Sequence, residues 1–381
     1  MQVRPHRPFP FDIDSDTEEL LLSSGFEVET FESLRQRLRE GGRAEDFNLV
    51  SGELALPERD SIPALPAPDS AEYERLAALG RQAIARGEVA CLVLAGGMAT
   101  RFGGVVKANV EVLPGATFLD LKLQAIAREA AQAGGNIPVY LMTSFATHAE
   151  IAEAIEGRPQ PGTQPRLFMQ NLSLRLSPEG ELFRLQDGKV SPYAPGHGDV
   201  PSAFQRSGLL EEFRKAGGRL VYISNVDNLG ATVEPAVIGM HLESGRPLSV
   251  EVTERYPDDR GGAPALLEGR AQVIEAFRFP PDFDYMSIPV FNTNTLLIDA
   301  AALAQHYALD WFYVRKEVQG RPAIQFERLV GQLSAFLHTL FVEVPREGER
   351  SRFLPVKDRE ELAQRRAQIA ALFAREQGSL P

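Results

Sequence analysis

Residues 90–107 read ACLVLAGGMATRFGGVVK, and the reading of the fold starts from them. Cys91 to Ala95 are apolar and run straight into Gly96-Gly97, the pattern of a buried strand that empties into a glycine turn. A basic loop of small residues follows and closes on Lys107. Glycine lets a backbone approach a ligand closely, and Arg101 and Lys107 supply cations for phosphate. On spacing alone two readings stand: a phosphate-handling loop, or a tight turn with two solvated bases. The stretch is neither G-x-x-x-x-G-K-[ST] nor G-x-G-x-x-G, so pattern supports neither a P-loop ATPase nor a dinucleotide enzyme.

Working outward, the texture from Val89 onward alternates. Strand candidates are Ala90–Leu94, Pro138–Thr143, Leu220–Ser224, Leu248–Val252 and Phe291–Ile298. Helix candidates are Phe118–Ala133, His148–Glu156, Ser202–Ala216, Pro235–Glu243 and Ala300–Tyr307. Such alternation predicts an α/β fold with a mostly parallel sheet covered on both faces, and ligands on such sheets bind beyond the carboxyl ends of the strands. Beyond Tyr307, the spacing predicts a helix over Phe326–His338, a short strand at Phe341–Val344 and a charged helix over Arg359–Arg375. Before Val89, residues 1–88 read as a helical extension. Phe26–Leu38 is helical, Pro57–Pro68 is an extended connector, and a helix capped by Ser70 carries Leu76, Leu79 and Ile84. The expected division is 1–88, a catalytic body at 89–345, and a segment at 346–381.

The totals exclude some classes. The chain has 381 residues, 44% hydrophobic and 24% charged, with a net charge of −12. That balance is globular, and the acidic excess argues against a wide nucleic-acid grip. The one cysteine, Cys91, permits no internal disulfide, which fits a reducing compartment. No apolar run approaches the roughly 20 residues of a membrane span, and the N-terminus does not read as a secretion signal. A cytoplasmic protein, acting as a monomer or small homo-oligomer with no nucleic-acid or membrane partner, is expected.

Four further segments can carry chemistry. Ala194-Pro195-Gly196-His197-Gly198-Asp199 sets a histidine between two glycines before a helix, where an anion is favoured; an exposed histidine in a loop is the plainer reading. Ser224-Asn225-Val226-Asp227-Asn228-Leu229-Gly230 ends a strand. Asp and Asn there suit a hard cation such as Mg2+ held through one carboxylate, or an Asx-type turn. Phe291-Asn292-Thr293-Asn294-Thr295 offers amides and hydroxyls to a polyhydroxylated ligand such as a sugar, or forms a polar strand edge. Lys357, after Pro355-Val356, and Lys316 read by themselves as surface lysines.

Taken in order, these segments resemble the eukaryotic-type UTP–glucose-1-phosphate uridylyltransferases and the related UDP-N-acetylhexosamine pyrophosphorylases, from about Val89 to Leu362. LAGGMATRFGG resembles the nucleotide loop L-x-G-G-x-G-T-x-x-G. It is followed by EVLPGATFLDL, MTSFATH, APGHGD, YISNVDNLGA, EVTERYPDDRGG, FNTNTLLI, IQFERLVGQL and SRFLPVK. TFLDL, PGHGD and SN-x-DNLGA lie closer to the glucose 1-phosphate branch, and LAGGMATRFG leans towards the other. The resemblance implies a Rossmann-like nucleotide-diphosphosugar-transferase fold with a mixed, mostly parallel central sheet flanked by helices. It implies that UTP and a sugar 1-phosphate, glucose 1-phosphate first, give UDP-sugar and pyrophosphate with Mg2+ as cofactor. Leu94, Ala95, Gly96, Gly97, Lys107, Gln170, Gly196 and Asn225 would bind the nucleotide. His197, Asn225, Asp227, Asn292, Asn294 and Glu251 would bind the sugar phosphate, and Asp227 the metal. Lys357, Lys107, Arg101 and Lys316 would act at the reacting phosphates.

The sequence departs from the family pattern in four places. Ala99 stands where the loop usually has glycine, Arg255 where relatives often have lysine, and Val106 where a proline usually precedes the loop lysine. The chain also ends soon after Lys357, leaving no room for a long β-helical tail. The alternatives are the same chemistry on another sugar, a nucleotide-sugar-binding homologue without turnover, and a dinucleotide enzyme on a related sheet, which the missing G-x-G-x-x-G disfavours.

Overall fold

The computed structural model describes residues 10–99, 102–156, 162 and 164–377. Seven strands form the central sheet: β1 (Val89–Leu94), β2 (Val139–Thr143), β3 (Arg166–Met169), β4 (Leu220–Asn225), β5 (Leu248–Glu254), β6 (Val290–Asp299) and β7 (Thr339–Glu343), in the order β7-β5-β6-β4-β1-β2-β3. Four adjacent pairs are parallel. Strand β6 alone runs antiparallel to both of its neighbours.

The apolar run that opens the reading is buried on both sides. Cys91 and Val93 join one apolar layer, while Ala90, Leu92 and Leu94 join the other, as expected when helices cover both faces of a parallel sheet. One layer carries α4 (Ala71–Ala85), α5 (Phe118–Gln132), α6 (His148–Glu156), α9 (Pro235–Ser244) and α11 (Arg359–Gln377). The other carries α7 (Val200–Arg206), α8 (Leu209–Lys215), α10 (Ala300–Leu303) and the hairpin of Ala263–Leu267 with Arg270–Ile274. The TFLD sequence starts α5 because Thr117 and Asp120 form a reciprocal capping box. Helices α4 and α9 touch backbone to backbone. A Cβ on Gly80 would lie 2.0 Å from the Pro235 carbonyl oxygen, and one on Gly239 would lie 2.1 Å from that of Leu76.

Residues 10–88 pack into this body. Leu65 donates to the Glu343 carbonyl at 2.8 Å, and Leu54–Ala55 pairs with Ala263–Leu267. Helices α1 (Ser15–Ser23), α2 (Val28–Arg39) and α3 (Ala44–Asn48) pack on a long hairpin, Phe312–Val318 with Arg321–Glu327.

Three expected helices change. Gly208, in the left-handed region at φ 77°, divides the expected Ser202–Ala216 helix into α7 and α8. The helix expected to reach Tyr307 stops at Leu303. The expected helix over 326–338 is the end of the long hairpin followed by a 3-10 turn at Val330–Ala335. Its spacing suggests a helix because that turn buries Val330 and Leu333 without an exposed face.

Candidate active site

The site assembles at the carboxyl edge of the sheet, where register places strand ends in one row. Asn225 lies opposite Leu94, Leu94 opposite Met142, and Thr143 opposite Met169. The loops after β1, β2, β3 and β4 therefore leave side by side, as the rule for open α/β sheets requires.

The turn after β1 is fixed by its neighbours. Ala95 donates to the Met142 carbonyl at 2.8 Å. The hydroxyls of Thr147 and Ser144 donate to the carbonyls of Ala95 and Gly96 at 3.1 and 2.9 Å. Gly96 meets a close approach: a Cβ there would lie 2.1 Å from Gln170 Nε2, the far end of a flexible side chain. Gln170 follows β3 and is buried, and its Oε1 has no hydrogen-bond partner. That oxygen is an open acceptor in a buried position, which a ligand donor could meet. Ala99 lies in a short extended strand, pairing with Val105 as Met98 pairs with Val106. Extended backbone accepts alanine, so the missing glycine imposes no strain there. Arg101 lies outside the described residues.

Lys107 begins a short 3-10 turn and donates to the Asp227 carboxylate from the loop after β4. Both side chains are partly open, at 18% and 19% exposure. Asp227 is a single carboxylate, and among the described residues no group of three or more His, Cys, Asp or Glu is placed to hold a metal. One carboxylate fits Mg2+, which keeps waters and phosphate oxygens as its other ligands.

Asn225 meets β6. Opposite Glu251-Val252 that strand carries two extra residues, Thr293 and Asn294, in a bulge. Asn294 sits there at φ 58°, a left-handed conformation that asparagine tolerates better than most residues. The bulge re-aims its side chain, and its Nδ2 donates to Asn225 Oδ1 at 3.0 Å. Asn292 Oδ1 accepts from the Asn294 amide at 2.9 Å. Asn292, Asn294 and Asn225 are thus one cluster beside Asp227.

His197 belongs to a loop pressed on Arg328. Gly196 is at φ 102°, and a Cβ there would lie 2.7 Å from the Arg328 carbonyl oxygen. Gly196 thereby serves a backbone contact. The Val330 amide donates to His197 Nδ1 at 3.0 Å, so Nδ1 is unprotonated and the neutral ring carries its proton on Nε2. Burial pulls its pKa down to about 4. Beneath it Asp199 is fully buried. It accepts from Arg328 at 2.6 Å and from the Asn171 amide at 3.1 Å. Burial pushes the Asp199 carboxyl up, while the Arg328 guanidinium opposes that shift.

The other expected residues show no side-chain hydrogen bond to this cluster among the described residues. Glu251 is buried and accepts from Tyr222 and, through both oxygens, from Arg352 at 2.7 and 2.8 Å. Its carboxylate is committed inside the protein. Lys316 is exposed on the long hairpin, 3.6 Å from Glu327. Lys357 is exposed, with its amide donating to Glu361 at 2.7 Å. Its segment reaches the Asp227 loop through a bridge between Pro355 and Asn228. Arg255 is spent on the carbonyls of Ile288, Asp259 and Val290.

Arg328, Arg352 and Lys122 were not marked by the sequence reading. Lys122 had a signal, since it falls between Phe118 and Ile126 on the apolar i, i+4 stripe of α5.

The sequence model of the family described as UTP–glucose-1-phosphate uridylyltransferase matches residues 52–379. The chain is 33% identical over 282 residues to the UTP–glucose-1-phosphate uridylyltransferase of Pyrus pyrifolia, covering 70% of this chain and 59% of that protein. It is 33% identical over 286 residues to that of Musa acuminata, covering 71% and 60%. The chain thus spans about three fifths of these curated relatives' length. Among solved structures, a UDP-glucose phosphorylase from Trypanosoma brucei superposes with TM-score 0.72 at 25% identity, covering 91% of this chain and 77% of that one. The uridine diphosphate N-acetylglucosamine pyrophosphorylase of the same organism shares the fold, with TM-score 0.74 at 20% identity, covering 94% and 79%.

Proposed function

This chain belongs to the UTP–glucose-1-phosphate uridylyltransferase family, and on that premise we propose that it converts UTP and a sugar 1-phosphate, glucose 1-phosphate first, into UDP-sugar and pyrophosphate. The observation that carries the reading is the meeting of Lys107 and Asp227 from two separate loops, with the Lys107 amide on the Gly97 carbonyl and Gln170 against Gly96 of the same turn. In this reading Gln170 takes the uracil edge, and the turn of Leu94, Ala95, Gly96 and Gly97 runs beneath the nucleotide. The Asn225–Asn294 pair, with Asn292, meets hexose hydroxyls, and neutral His197 donates from Nε2 to the sugar phosphate.

A phosphate oxygen of the sugar phosphate attacks the α-phosphorus of UTP, and pyrophosphate leaves in line. The attacking phosphate is already anionic, so no covalent nucleophile on the protein is needed. Catalysis is positioning and charge neutralisation. Lys107 and Lys357 offset charge on the phosphates, with Lys316 as a third candidate. Asp227 would hold Mg2+, which when bound neutralises phosphate charge. The single buried cysteine, Cys91, supports a reducing, cytoplasmic setting, and no helix among the described residues is long and apolar enough to cross a membrane.

A panel of sugar 1-phosphates with UTP and Mg2+, read by pyrophosphate release, tests the proposal. Release with glucose 1-phosphate as the best substrate is expected. UTP binding without release from any sugar would replace it with a binding protein.

A further inference from the structure

We propose that Lys122 and Asn228 are positioning residues that lock the Asp227-bearing turn to the Lys357-bearing segment; the inference rests on the catalytic reading above.

Lys122 is 2% exposed, on the core side of α5. A buried amine is costly unless its protons find acceptors, and an apolar side chain would fill the same space at less cost. Lys122 Nζ donates to two carbonyls of one turn, Asn228 at 2.8 Å and Ala231 at 2.6 Å. It thus holds both ends of the loop that follows Asp227. What the amine adds over an apolar residue is a fixed place for that loop.

Asn228 carries the hold across to a segment far away in sequence. Its Oδ1 accepts from the Leu354 amide at 2.8 Å, and its Nδ2 donates to the Arg352 carbonyl at 3.2 Å. Its backbone bridges Pro355, two residues before Lys357. Arg352 is anchored in turn. Its guanidinium donates to both oxygens of Glu251, to the Tyr222 hydroxyl at 2.6 Å and to the Thr232 carbonyl at 2.8 Å. The chain of contacts from α5 to Asn228 to 352–355 therefore sets the distance between the Asp227 carboxylate and Lys357. Neither Lys122 nor Asn228 has to touch substrate for this.

The test combines amide hydrogen exchange of peptides covering 226–231 and 351–357, UTP affinity by calorimetry, and kcat for pyrophosphate release. In Lys122→Met, exchange in both peptides should rise at least about tenfold while the β1 peptide stays protected. The kcat should fall at least about tenfold with UTP affinity within about threefold of wild type. Lys122→Gln keeps a two-proton donor and should recover most of both. Unchanged exchange, or raised exchange with unchanged kcat, would overturn the proposal. So would kcat and UTP affinity falling together. Should Lys122→Met not fold, Asn228→Ala decides by the same readings. A wild-type protein that binds UTP and releases no pyrophosphate would refute the catalytic reading, and the exchange data would still decide whether the lock exists.

Discussion

Lys107 and Asp227 meet across 120 residues of chain, joining the turn after β1 to the loop after β4. Because both are partly open to solvent, the pair itself is worth about 1 kcal/mol or less. Its replacement should therefore be read in rate, not stability. Lys107→Met is expected to lower kcat for pyrophosphate release by about 100-fold or more with a melting temperature close to wild type. Asp227→Ala should abolish the Mg2+ dependence of turnover. Near-normal Mg2+-activated turnover in Asp227→Ala would move the metal elsewhere.

Gly96→Ala tests the nucleotide turn. The added methyl would displace the Gln170 side chain, a flexible group, so the fold should survive. A misplacement of about 1 Å at such a contact can change affinity or rate by about 100-fold, and calorimetry should show UTP binding weakened by about tenfold to 100-fold. Gln170→Ala should weaken it comparably. Unaltered UTP affinity in both would remove Gln170 from the base site.

Asp199 and Arg328 form a buried charged pair, and Arg328 also donates to Glu27 at 3.0 Å and stacks 4.1 Å over Trp311. Asp199→Ala leaves the guanidinium short of its buried partner, and loss of about 3–5 kcal/mol in urea denaturation is expected. Gly198→Ala should act on the same contact from the other side, because its Cβ would lie 2.5 Å from the Arg328 backbone carbon.

His197 gives the protein an acid-sensitive term. Its folded pKa is about 4 against an ordinary 6.5, so below pH 6.5 the unfolded chain takes up a proton that the folded one refuses. Stability is fully present above pH 6.5 and lost as pH falls towards 4, at a limit of about 1.4 kcal/mol per unit. His197→Asn keeps an acceptor for the Val330 amide and removes the titration. Denaturation midpoints at pH 7 and pH 5 should therefore differ less in the variant than in wild type.

The strands of the central sheet were legible where apolar runs stop at a glycine or an Asx cluster, as at Leu94-Ala95-Gly96 and Ser224-Asn225. The site loops were legible for the same reason, since they begin where those runs end. Strand β3 and the long hairpin were not legible. Arg166–Met169 is only four residues long, and Phe312–Val318 carries Arg315, Lys316 and Glu317 in succession on an exposed edge. The family resemblance implies a sugar-binding role for Glu251, and the partner that its carboxylate meets, Arg352, lies 101 residues away. Pairings at that separation leave no local trace in sequence. Lys122 left one, a charge on an apolar stripe, which only tertiary contacts explain.

The first residues of the chain find their partners near its other end. Asn48 exchanges hydrogen bonds with Tyr313 at 3.0 and 2.7 Å, Glu27 accepts from Arg328, and Leu65 donates to Glu343. During synthesis α3 must therefore wait, with Phe47 uncovered, until the hairpin that carries Tyr313 and Phe326 has emerged. Such non-local closure makes folding slow and leaves an aggregation-prone intermediate. The same contacts that steady the His197 loop in the finished protein thus delay its completion on the ribosome.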